Sequence, residues 1–219
     1  MSIAGLAAAL AAFASAAAAQ SLPIEHIQLR GDRFRGLGYA EMTPEQRVML
    51  DHTVNSARAV TNTTANGPFN VLLRSPEMGD IAQQFGASMR FNQSMPRKLN
   101  EMAIIITARY WTAQYEWYAH KRAALQAGLD PAIVDAIQHG RRPGAMQKDE
   151  DAVYTFCTEL LNTKHVSDAT FATAKNAVGE KGVVDLMGVM SWYQMVSMLL
   201  NVDRYPLPAG AQPELEPLS

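Results

Sequence analysis

The chain holds a single cysteine, Cys157, among its 219 residues. One thiol excludes any intrachain disulfide, whatever the redox compartment, and excludes chemistry in which a second thiol must resolve the first. Basic runs are missing too: Lys and Arg total 19 against 21 for Asp and Glu, a net charge of −2, which argues against nucleic acid as a partner. Strand signals are scarce. Ile104-Ile105-Ile106 is the one β-branched run, and its flanks Leu99, Met102, Ala103 and Ala108 favour a buried helix. His26, His52, His139 and His165 lie in contexts without metal-ligand spacing, and no metal or organic cofactor is expected.

What is present is the balance of an ordinary globular protein, 48% hydrophobic and 18% charged, with length for one domain around one core. Ile3 to Ala19 stand apart. They carry no charge, are dominated by alanine, and end in Ala17-Ala18-Ala19, the small side chains that a signal peptidase accepts. Residues 1–19 are therefore expected to be a signal peptide, and the mature protein periplasmic or secreted, although Met1-Ser2 supplies no Lys or Arg. The run is short and weakly hydrophobic for a membrane span. Residues 20–42, with Pro23, Gly31, Gly36 and Gly38 among mixed charges, read as an irregular N-terminal arm.

Helix starts are then punctuated one after another. Thr43-Pro44-Glu45-Gln46 supplies a cap hydroxyl, a proline at the first helical position and a Gln at the third, predicting a helix to about Val60. Ser75-Pro76-Glu77 opens a segment to about Phe91, Met95-Pro96-Arg97 opens another, and Asp130-Pro131 opens a short one ending before Gly140. Asp149 to Leu161, Ser167 to Val178 and Gly182 to Asn201 carry helical apolar spacing. The last is rich in Leu, Met and Val, with Trp192 and Tyr193, and reads as a central or interface-forming helix. The 12 methionines suit irregular gaps between packed helices.

Leu99 to Gly128, LNEMAIIITARYWTAQYEWYAHKRAALQAG, carries the chemistry. Glu116 and His120 stand four apart, one turn along the same helical face. Glu101 would lie roughly 22 Å from Glu116 on one straight helix, so a shared site demands a break. Arg109-Tyr110-Trp111-Thr112 is the place for it, because Tyr110, Trp111 and Thr112 have modest helix propensity and Thr112 can cap a new helix.

This segment resembles the signature of the carboxymuconolactone decarboxylase and alkylhydroperoxidase D superfamily, a Glu on one helix followed by a helix-start site ending in His. Aligned on His120, Ala113 and Glu116 fall where the peroxidase branch has its two cysteines, and Glu101 falls at the upstream Glu. The decarboxylase branch is the closer likeness, through Glu116-Trp117-Tyr118-Ala119-His120 followed by small residues. Gly67 to Pro76 and Asn201-Val202-Asp203-Arg204-Tyr205-Pro206-Leu207-Pro208 also look like longer members of the group. The likeness covers residues 43–208, leaving 209–219 as an expected flexible tail.

The resemblance implies an all-α bundle of about seven or eight helices, assembling as a trimer or hexamer. It also implies a cofactor-independent decarboxylase, lyase or isomerase on a small lactone or keto acid. Peroxidase chemistry is disfavoured because the cysteine pair is absent. His120 is the expected proton-transfer residue, Glu116 its orienting partner and Glu101 the second acid or base. Trp111, Tyr115, Trp117 and Tyr118 are expected to wall the substrate site, and Arg109 to anchor an anionic substrate. A non-catalytic helical assembly or binding module is the competing expectation.

Overall fold

The computed structural model describes residues 24–56 and 67–217; the expected signal peptide lies outside them. The described residues form an all-α bundle of eight helices with no strand: α1 (Pro44–Val54), α2 (Phe69–Leu72), α3 (Pro76–Phe91), α4 (Arg97–Tyr110), α5 (Gln114–Gln126), α6 (Pro131–Gln138), α7 (Lys148–Thr163) and α8 (Asp168–Asp203). The cap signals act as expected at α1, where the Thr43 hydroxyl accepts from the Gln46 amide and the Gln46 side chain accepts from the Thr43 amide. Asp130 caps α6 through the Ala132 amide, and Ser167 caps α8 through the Thr170 amide. α1 is shorter than expected, stopping at Val54 with Asn55 as its cap; residues 57–60 lie outside the described part. The single turn of α2 was not foreseen, since four residues are too few to show a helical period.

α4 is the central helix, and every residue from Leu99 to Arg109 is buried. It packs against α5, α7 and α8, so its lack of a polar face is what a fully surrounded helix requires. The two expected C-terminal helices are both present within α8, joined across a kink at Gly179, whose φ of 75° and ψ of 171° are open to glycine alone. By length and composition α8 could cross a bilayer, but half of its most apolar stretch is buried inside the bundle.

The described parts of the arm and of the C-terminal segment lie against the helices. In the arm, Ile27, Leu29, Leu37 and Met42 join the core. The buried Asp203 carboxylate accepts from the Asp32 and Phe34 amides, and the Asn70 side chain donates to the Phe34 carbonyl. The described part of the C-terminal segment, through residue 217, lies against the bundle. Leu215 is buried in the core cluster, and the Gln114 side chain brackets the tail, accepting from the Glu214 and Leu215 amides and donating to the Leu215 carbonyl.

Candidate active site

The helix break that Glu101 requires is present, and it falls where low helix propensity placed it. α4 ends at Tyr110; the Ala113 amide turns back to the Ala108 carbonyl and the Thr112 amide to Arg109, closing the helix end around a left-handed residue. That residue is Thr112, with φ of 48°. The expected role for Thr112 as the cap of the next helix is thus corrected. It terminates α4, while Ala113 occupies the α5 cap position without a side-chain bond. α5 then runs back along α4, and a sequence separation of 19 residues becomes direct contact.

His120 lies between two carboxylates. Its Nδ1 is 2.6 Å from Glu101 Oε2 and its Nε2 is 3.1 Å from Glu116 Oε1. All three residues are almost fully enclosed, with 2% (Glu101), 4% (Glu116) and 3% (His120) of their surface exposed. Tyr193 of α8 stands edge to face on the imidazole, ring centroids 4.8 Å apart. Burial works against charge on His120, but the fields of Glu101 and Glu116 and the bonds to them win, pushing the imidazole up to about 9. It is an imidazolium at neutral pH, with both nitrogens donating. Burial pushes the Glu101 carboxyl upward, yet the His120 charge and hydrogen bond, helped by Arg90 and Arg97, hold it below the ordinary glutamate value. Glu101 is therefore ionised.

The three groups differ in access. Glu101 lines a cleft of about 840 Å³ between α3, α4 and α5, whereas His120 and Glu116 stand behind it and do not. Arg90, Arg97 and Arg122 also line this cleft, making Glu101, among the described residues, its only acid beside three guanidinium groups. Arg97 Nε lies 3.8 Å from Glu101 Oε1. Asn100, 2% exposed, and Gln93 present buried amide oxygens that no donor among the described residues reaches. None of these five residues was foreseen. Arg90 and Arg122 enter through packing of α3 and α5 around the start of α4, which has no signature in local spacing.

The aromatic and arginine expectations separate. Tyr118 lines the Glu101 cleft. Trp117 is fully buried on another face of α5 and donates from Nε1 to Glu214 of the tail at 3.0 Å. Tyr115 packs edge to face on Tyr205 beside a different cleft, of about 450 Å³. Trp111 lies at the helix break, its ring against Tyr110 and its carbonyl accepting from Asn201. Arg109 points into a third cleft, between α4, α6 and α7. The helical phase explains the split: on α5, positions 116 and 120 face α4, 118 and 122 face the cleft, and 114, 117 and 121 face the tail.

Among the described residues no three His, Cys, Asp or Glu side chains converge as a metal-ligand set. Cys157 is buried on α7, and burial pushes its thiol up, away from the reactive thiolate. Comparison with protein-family models and with curated proteins finds no match to the chain.

Proposed function

We propose that the protein is an acid–base enzyme of the carboxymuconolactone decarboxylase type, acting without a cofactor on a small carboxylated lactone or keto acid. The observation that supports this most is the buried Glu101–His120–Glu116 array, which meets an arginine-lined cleft through Glu101. A solvated surface pair would need neither the burial nor the cleft.

In this reading one role differs from the sequence expectation: Glu101 rather than His120 touches substrate, supported by its being the member of the array that lines the cleft. Arg90, Arg97 and Arg122 would hold the acid substrate and favour negative charge developing on its carbonyl oxygen. The bond to the departing carboxylate breaks, carbon dioxide leaves, and the electron pair moves into the carbonyl as an enolate. The Nδ1 proton of His120 passes to Glu101 Oε2, and the Glu101 carboxyl delivers it to the enolate carbon. Neutral His120 keeps its Nε2 proton toward Glu116, and a solvent proton restores the imidazolium. Trp111, Tyr115, Trp117 and Arg109 have no part in this scheme.

The test is turnover of a panel of carboxylated lactones and β-keto acids by the full chain and by Glu101→Gln, which keeps the size of the side chain and a contact to His120. Loss of a positioned proton carrier should lower kcat by about 10²–10⁴. Equal turnover by the two proteins would remove Glu101 from the chemistry, and no turnover by either would remove the reading itself. Self-association is proposed alongside: Val184, Met187, Met198 and Val202 leave an exposed apolar stripe along α8, compatible with subunit packing and measurable by sedimentation.

A further inference from the structure

Arg109 was expected beside the active site and lies elsewhere. Glu101 and Arg109 are eight residues apart on α4, about 12 Å along the axis, and they open onto different clefts. The Arg109 cleft has a volume of about 360 Å³. Ile106, Ile137 and Leu161 give it apolar walls, and Thr158 and Asn162 add polar groups.

The arginine itself is what requires explanation. Only 5% of its surface is exposed, and among the described residues it forms no ion pair. Its guanidinium makes one long bond, from Nη1 to the Thr112 hydroxyl at 3.4 Å, and Nε is buried with no acceptor. Among the described residues, Glu216 of the tail is the acid whose field reaches it. A guanidinium carries five N–H donors and stays charged, and leaving such a group buried without a counter-ion is costly. The neighbouring arginines do not share this condition. Arg141 is paired with Asp135 and Arg142 with Asp151.

We propose that the Arg109 cleft is a second binding site, separate from the Glu101 cleft, for a small carboxylate with an apolar body. The carboxylate meets the Arg109 guanidinium where it lines the cleft, and the body lies against Ile106, Ile137 and Leu161. A planar fork matches the two oxygens of a carboxylate, and the volume falls at the lower end of small-molecule sites. The site stands on its own geometry and does not depend on the reaction proposed for Glu101.

Benzoate is a suitable probe, titrated calorimetrically into the full chain and into Arg109→Met, Arg109→Lys and Arg97→Met. Arg109→Met removes the charge while keeping an unbranched side chain, so benzoate should bind at least about tenfold more weakly, the loss of one charge-assisted contact. Arg109→Lys keeps the charge without the fork and should weaken binding several-fold, which also serves should Arg109→Met fail to fold. Arg97→Met addresses the Glu101 cleft: any second, independent benzoate site formed by the arginines there should weaken in that variant, while the site lost in Arg109→Met should keep its affinity within about twofold. Absence of binding to the unaltered chain, or equal affinity of the unaltered and Arg109 variants, would overturn the site. So would weaker binding in Arg97→Met alone, or an Arg109→Met variant that changed oligomeric state while binding benzoate normally.

Discussion

Both ring nitrogens of His120 face carboxylates inside the protein, and this sets the response of the fold to pH. The folded chain holds the His120 proton more tightly than the unfolded chain, with a pKa near 9 against an ordinary 6.5. The difference is worth about 3 kcal/mol. That contribution is complete below 6.5 and declines as pH rises to about 9. Glu101 works in the opposite sense. Its lowered pKa contributes stability above the ordinary value of 4.5, lost as pH falls through the folded value. Thermal melts should therefore show Tm falling between pH 6.5 and 9. The fall should be shallower in Glu101→Gln, where the imidazolium has lost one of its two anions. Identical slopes in both proteins would mean that Glu101 does not hold the His120 proton. The pairing of Glu116 with His120 was legible from a spacing of four, and that of Glu101 from the need for a break. Arg90 and Arg122 were not, because only packing brings α3 and α5 to one cleft, whereas Arg97, one turn before Glu101 on α4, was open to the same spacing argument and was missed.

At the scale of the element, the break between α4 and α5 decides whether a site exists. Ending α4 at Tyr110 allows α5 to return along it, and Thr112 makes the turn in a left-handed conformation that a β-branched residue adopts at a cost of about 1–2 kcal/mol. Strain held at this junction is consistent with a turn fixed by its surroundings rather than by its own preference. Replacing Thr112 with glycine removes that strain but adds freedom to the unfolded chain and deletes the hydroxyl that accepts from the buried Arg109 guanidinium, so denaturation should show a net change within about 1 kcal/mol rather than the full relief of strain. Gly179 is the converse case. Nothing lies within 4 Å of a Cβ built there, so the penalty for Gly179→Ala comes from the backbone alone and should be about 1–3 kcal/mol. Glycine signals and proline starts made most helix boundaries readable, since each acts within three or four residues. Arg109 was misplaced for a related reason. The sequence shows that a helix breaks near it but not toward which side its face then turns.

Across the whole molecule, the segments outside the bundle are held by side chains that resemble site residues when read from sequence alone. Trp117 was expected to face substrate, yet its indole donates to Glu214, which also accepts from Lys121 at 2.6 Å. The aromatic residue thus anchors the C-terminal segment to the outer face of α5 while Glu116 and His120 occupy the inner one. Leu215 completes that attachment by entering the core at 4% exposure. Leu215→Ala removes buried methyl groups from a segment that can partly relax, so it should cost about 2 kcal/mol, or roughly 4–8 °C in Tm. Tryptophan emission should shift to the red as Trp117 gains water. The slope of Tm between pH 6.5 and 9 should stay as in the unaltered chain, because the tail does not touch Glu101 or His120. A changed slope would show that the outer face of α5 transmits tail docking to the proton site, and that the two faces do not act independently.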